Sequence, residues 1–262
     1  MPPDAETRIE FARTASGDEC KSLIHDAGEE VLLALLENPK LDEMHVIQLL
    51  ERFDLPSQVL AAIGAGGKWT ASESVRLGLA RHPRTPKRVA VAVVKRLYLF
   101  DLVRLTLLPS APADIKRMAE EIIIARVPHI PVGQKLTLAR RGPSRVTGAL
   151  LAEGHPQGVK LALANPLLTE SQVLKVLAKP GVPERVVTAI AQDEKWSRQY
   201  NIRAALVRNR HTPAPCVLEF LPDLTLRDLQ DIVALEEIAP QRKKQIAEEI
   251  ERRAGEGEPA GG

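Results

Sequence analysis

The chain's only two tryptophans stand in register: Lys68-Trp69 recurs further on as Lys195-Trp196. The same step carries Arg76 to Arg203, Leu79 to Leu206, Arg81 to Arg208 and Thr85-Pro86 to Thr212-Pro213. Upstream it takes Asn38-Pro39 to Asn165-Pro166, Pro56 to Pro183 and Ala62-Ile63 to Ala189-Ile190; downstream it takes Asp101-Leu102 to Asp228-Leu229. One inserted residue later, Pro112 meets Pro240 and Ala119-Glu120-Glu121-Ile122 meets Ala247-Glu248-Glu249-Ile250. Self-similarity at a fixed period constrains a fold more than any local signal, and here it implies an internal duplication with a period of about 127 residues.

Each half holds smaller echoes. Residues 36–42, 80–86, 164–170 and 207–213 share one design, an apolar helix ending at Asn or His, often before Pro, with a new helix a few residues later. Thr85-Pro86 and Thr212-Pro213 are read as helix starts, with Thr as cap and Pro in the first turn. Thr169 with Gln172 is read as a capping box. Val89, Val93, Val94 and Leu97 have helical spacing, and no long strand alternation occurs. Hydrophobic residues make up 44% of the chain but aromatics only 3%, so the core is Leu, Val, Ile and Ala, suited to close helix packing. The expectation is an all-α protein, an α-α superhelix or solenoid of helix pairs that bury their apolar faces on one another. The halves are placed at residues 30–126 and 157–253. Residues 1–29 are expected to form a helical cap, residues 127–156 a bridging helical pair opened by Pro128 and Pro131, and residues 254–262 a disordered tail.

Val75-Arg76 through Ala80-Arg81-His82-Pro83-Arg84-Thr85-Pro86 to Val89 resembles the leucine-rich repeat variant motif, a short HEAT-like helical repeat; Ile202-Arg203 to Pro213 repeats it with Arg210 where that family usually has Pro. The resemblance implies an α-superhelix with a concave binding surface. The cysteine cluster that accompanies some such repeats has no counterpart here, since Cys20 and Cys216 are alone and far apart. They are expected as buried thiols in a reducing compartment.

Chemistry-bearing patterns are few. The six histidines lack metal-ligand spacing, and Gly64-Ala-Gly-Gly67 lacks the Lys-Ser/Thr of a phosphate loop. No catalytic constellation, metal site or cofactor motif is expected. The N-terminal residues have no signal-peptide pattern, and no stretch approaches the ~20 apolar residues of a membrane helix. A cytoplasmic protein that does not enter the membrane follows as the expectation.

Charge is uneven. Residues 1–72 hold 6 Lys/Arg against 13 Asp/Glu, whereas residues 74–145 hold 15 against 4. The leading expectation is a non-catalytic scaffold that binds a protein, acidic in character, through its concave surface. Trp69, Arg76, Arg81, Arg140, Arg141, Arg145, Trp196, Arg203 and Arg208 are the candidate contacts. For the tryptophans the alternative is a plug between helical layers. For Arg76, Arg81, Arg203 and Arg208 it is the macrodipole at the C-terminal halves of their helices. Asp101 and Asp228 are read as caps or as partners of Arg76 and Arg203. The competing function is nucleic-acid binding through the basic stretch 81–145, which lacks the aromatic interleaving that single strands favour. Helical-repeat DNA glycosylases of the alkylation-repair type share this style of fold, but fold alone does not transfer function.

Overall fold

The computed structural model describes residues 4–256, and these are all-helical, with no strand among them. They divide into two units, Met1–Arg126 and Val127–Gly262.

Unit 1 comprises α1 (Ala5–Thr14), α2 (Gly17–Leu23), α3 (Glu29–Glu37), α4 (Glu43–Leu49), α5 (Ser57–Ala65), the short α6 (Gly67–Thr70), α7 (Glu73–Arg81), α8 (Lys87–Val94), α9 (Leu99–Leu107) and α10 (Ala113–Arg126). Two layers result. In the first, α1 packs on α3, α3 on α5, α5 on α8 and α8 on α10; in the second, α4 packs on α7 and α7 on α9.

Unit 2 comprises α11 (Val132–Arg141), α12 (Ser144–Glu153), α13 (Pro156–Leu163), α14 (Glu170–Ala178), α15 (Glu184–Gln192), the short α16 (Glu194–Ser197), α17 (Tyr200–Arg208), α18 (Ala214–Phe220), α19 (Leu226–Ala234) and α20 (Pro240–Glu256). Here α11 packs on α13 and α13 on α15, while α12 packs on α14 and α14 on α17. Helices α11, α15, α16, α17 and α19 begin and end at the positions to which the Trp69-to-Trp196 step carries the ends of α1, α5, α6, α7 and α9. The correspondence reaches further than residue identity. The segment 1–29, expected as a cap, contributes α1 and α2. The segment 127–156, expected as a bridge, contributes α11 and α12, which begin one such step after them. Helix α20 carries on to Glu256; the remainder of the expected tail lies outside the described residues.

What joins neighbouring helices of a layer is a buried side chain at the helix end. The last carbonyls of a helix have no partner within it and need one elsewhere. Asn38, after α3, donates to Ala12 O (2.8 Å) and Ala15 O (3.0 Å) at the end of α1, and accepts from Lys40 N. Asn165, after α13, donates to Ala139 O and Gly142 O (both 3.0 Å) at the end of α11, and accepts from Leu167 N. In the second layer His82, after α7, bonds Arg52 O beyond α4 (2.7 Å) and accepts from Arg84 N. Asn209, after α17 and half-buried, donates to Leu177 O of α14 (3.1 Å) and accepts from His211 N. Three of the four precede proline, which holds the residue before it extended; Asn38 and His82 lie near ψ 123 and 125. Arginines act alike elsewhere. Arg126 of α10 donates to Leu97 O (2.9 Å), and in unit 2 Arg253, one position away from the match to Arg126, donates to Leu224 O (2.7 Å), the counterpart of Leu97.

Local corrections follow from the same geometry. Helices α8 and α18 start after Pro86 and Pro213, which are themselves the extended N-caps, so neither Thr85 nor Thr212 caps. The Thr212 hydroxyl donates instead to Leu206 O at 2.6 Å. Thr169 makes no capping bond, because its hydroxyl meets those of Ser144 and Ser171 while Gln172 packs over Gly148. Capping boxes form at Ser16–Glu19 and Asp42–His45. A β-carbon on Gly64 would overlap Val89 Cγ1 where α5 meets α8. In unit 2 the corresponding residues are Ala191 and Cys216, the added methyl offset by the smaller thiol.

Two stability outcomes follow, both read by urea unfolding. Asn165→Ala costs roughly 2–4 kcal/mol, since each buried polar group stripped of its partner costs about 1–3, and the near-isosteric Asn165→Asp is worse because a carboxylate cannot donate to carbonyls. Gly64→Ala costs about 1–3 kcal/mol through overpacking, and adding Val89→Cys restores most of it; no restoration would contradict the close approach of α5 and α8.

Candidate binding site

The structure removes several candidates by burying them. Trp196 is 1% exposed and donates its indole N–H to Leu163 O at 3.0 Å. Trp69 is 6% exposed. Lys195 Nζ and Lys68 Nζ sit 4.1 and 4.0 Å over the two rings, the distance of a cation–π contact. The tryptophans plug helix seams, and a partner at that surface would meet the lysines.

Arg76 and Arg203 are likewise committed inside, and each lies fourth in its nine-residue helix, not in the C-terminal half. Arg76, 7% exposed, donates to Thr70 O and Ala71 O at the end of α6 (2.6 and 2.8 Å) and pairs with Glu73. Arg203 donates to Ser197 O at the end of α16 (2.5 Å) and pairs with Asp223. The macrodipole they complement is that of the short helix before them. Asp101 and Asp228 therefore pair with neither. Asp228 accepts from the Tyr200 and Thr225 hydroxyls, which hold its carboxyl below the usual range. Asp101, at the matching position, is pushed up by burial and then by Glu73, which stands where unit 2 has Tyr200.

Of the basic stretch 81–145, several members are engaged internally. Arg84 donates to Asp54 O, Arg126 to Leu97 O and Lys95 O, Lys87 pairs with Asp114 and Lys135 with Glu153. The stretch is also divided between the units at residue 126. Arg140 and Arg141 are exposed in the last turn of α11, whereas Arg145 lies in the first turn of α12. These three do not share one element.

What remains is a pair of grooves on the second layers, and this is the candidate site. Ile47, Leu50, Glu51, Gly78 and Arg81 line the groove of unit 1, between α4 and α7. Leu174, Leu177, Ala178, Ala205 and Arg208 line the groove of unit 2, between α14 and α17. The Trp69-to-Trp196 step carries the first set onto the second, residue by residue. Gly78 allows the α4 end to come close; a β-carbon there would stand 2.8 Å from Leu50 Cδ1. The unit 1 groove has a volume of about 240 Å³ and also carries Glu73, Asp101 and Arg104. The unit 2 groove, about 670 Å³, adds Lys179, Arg210, His211 and Glu237. Arg81 and Arg208 are thus the two expected contacts that the structure sets at a cleft.

Lys179, Arg210 and His211 were not among the contacts expected from the sequence, although Arg210 stood out there in place of a proline. Their signal lay where the two units differ, at the counterparts of Arg52, Pro83 and Arg84, not where they match. Neither cysteine is in a disulfide; Cys20 is buried and Cys216 half-buried, and burial pushes both thiols up, away from the reactive thiolate. Among the described residues no group of three or more His, Cys, Asp and Glu is placed to hold a metal, and no helix is long and apolar enough to cross a membrane. Set against family models, curated proteins and solved structures, the chain matches none.

The end of α7 in unit 1 has a pH dependence. Arg84 N donates to His82 Nδ1, so the ring hydrogen sits on Nε2 and the imidazole is neutral; burial lowers its pKa. The unfolded chain, with an ordinary histidine pKa of ~6.5, takes up the proton first. Stability from His82 is thus present above that pH and is lost as pH falls below it. Denaturation from pH 8 to pH 5 should show this loss, and His82→Asn, which copies Asn209, should remove that part of it. An unchanged profile would refute the neutral assignment.

Proposed function

We propose that the chain is an α-solenoid made by internal duplication of one helical unit, and that it is a non-catalytic scaffold binding a protein through a concave surface, with the second-layer groove of each unit as the contact. The observation that carries this reading is the recurrence of one groove at matching positions while its charged rim differs. Ile47, Leu50 and Arg81 keep their character as Leu174, Leu177 and Arg208, whereas Glu51 is replaced by Ala178 and Pro83 by Arg210. Constant floors with varied rims suit recognition, where rim charges set which partner is accepted. The resemblance to leucine-rich repeat variant and HEAT-like repeats belongs to the same proposal, as does a cytoplasmic site of action. Affinity is assigned to arginines such as Arg81 and Arg208, since the tryptophans are committed to the interior.

A second reading, nucleic-acid binding, draws support from the exposed Arg140 and Arg141. It is disfavoured by the number of basic side chains in residues 81–145 already bound to carbonyls and carboxylates. Phosphate contacts lose affinity by orders of magnitude between about 50 and 200 mM salt. Duplex and single-stranded oligonucleotides should fail to bind at the lower salt. Salt-sensitive binding abolished by Arg140→Glu, Arg141→Glu and Arg145→Glu would overturn the protein-binding reading. A photo-crosslinking residue at the exposed Lys175 of α14, on the second layer, should capture protein in cells where one at Leu218 of α18 does not. Equal capture at both would count against the concave face.

A further inference from the structure

The unit 2 groove reaches the loop after α14, whereas the unit 1 groove does not reach the matching loop after α4. In unit 1 the side chains of that loop engage their neighbours instead. The Phe53 ring stacks on His82 with centroids 6.2 Å apart and planes 24° from parallel. The Asp54 carboxylate is gripped by Arg52, at 3.2 and 2.8 Å. In unit 2 the corresponding residues are Pro180 and Gly181, with Asn209 in place of His82. Unit 2 has neither ring nor carboxylate there, and Lys179, Arg208 and Arg210 line an open cleft over an apolar floor of Leu174, Leu177 and Val182.

Those cations are not neutralised locally. Among the described residues, Lys179 and Arg208 form no ion pair, and Arg210 Nε meets only His211 Nε2 at 3.1 Å. Asp228 feels Arg208 at longer range, and Glu237 is the one carboxylate on the lining. Three cations against one anion, beside an apolar floor, are complementary to carboxylates next to a ring.

We propose that the unit 2 groove binds an extended acidic segment of a partner protein, with an aromatic side chain beside its carboxylates, an occupant that unit 1 imitates with its own Phe53 and Asp54. This rests on the protein-binding reading above and specifies its ligand. The aromatic ring lies over Asn209, where Phe53 lies over His82, and the carboxylates meet Lys179, Arg208 and Arg210. Ala178, where unit 1 has Glu51, keeps the cleft free of a repelling charge. Unit 1, with Glu51, Glu73 and Asp101 at its groove, excludes the same ligand.

The test uses the full chain and a fluorescent twelve-residue peptide carrying one Phe flanked by Asp and Glu, read by polarisation at about 50 mM salt, where exposed charges act over several ångströms. The peptide is expected to bind, to lose about tenfold or more in affinity against Arg208→Glu with Arg210→Glu, and to lose as much against Ala178→Glu, since one misplaced like charge costs a kcal/mol or more. A Phe→Ser peptide should bind about fivefold more weakly. Arg140→Glu with Arg141→Glu should stay within about twofold of the parent. All of the substituted positions are exposed, and circular dichroism checks that each variant keeps its helices. No binding, binding indifferent to the groove variants, or a Phe→Ser peptide that binds equally well overturns the proposal. So does an oligonucleotide that displaces the peptide and loses affinity on the same reversals, because the groove then reads phosphate. Failure of the peptide with Lys175 crosslinking retained overturns the groove chemistry alone; failure of both overturns the scaffold reading as well.

Discussion

A buried side chain that joins the ends of two helices is the interaction on which the rest of this fold depends. Asn38, Asn165, His82 and Asn209 each take up carbonyls at the end of an earlier helix in the same layer, and each accepts an amide hydrogen from two residues ahead. Helices as short as most of these are weak alone, and their unpartnered carbonyls must be satisfied when buried. One side chain meets that need and sets the spacing of neighbours. Because the residue that follows Asn38, Asn165 and His82 is a proline without an amide hydrogen, the first available donor is the one the clamp accepts.

The two units preserve chemistry even where they do not preserve residues. Arg8 pairs with Asp26 in unit 1, and Lys135 pairs with Glu153 at the same positions in unit 2. Glu43 accepts from Ser72, and Glu170 accepts from Asn201. Gly64 with Val89 and Ala191 with Cys216 divide one volume in two ways. Contacts buried between helices are held to size and polarity, while the rims of the grooves carry different charge. That contrast separates what builds the layers from the groove rims, where the two units differ most in charge.

Much of the helical frame was legible, because Lys68-Trp69 with Lys195-Trp196 set the repeat step and the Asn-Pro and His-Pro pairs marked helix ends. The relation of residues 5–29 to 132–156 was not. Ala12, Arg13 and Leu23 are the identities there, too few to signal a repeat when the remainder is conserved only as apolar, basic or acidic. The roles of Arg76 and Arg203 were misjudged since an arginine that reaches back to the preceding helix has the same spacing as one that faces outward. The Thr169 capping box failed because tertiary partners, Ser144 and Gly148, took both of its side chains. Groove residues such as Lys179 and Arg210 lay where the two units differ, and a search for matches passes over differences.

Hydrogen exchange followed by NMR on the full chain tests the clamp most directly. Lys40, Arg84, Leu167 and His211 are loop residues by sequence, yet each amide is bound to a clamp side chain. They should exchange as slowly as the helices they join, and Asn165→Ala should release Leu167 first. Rapid exchange of these four amides in the parent chain, at rates typical of open loops, would contradict the account.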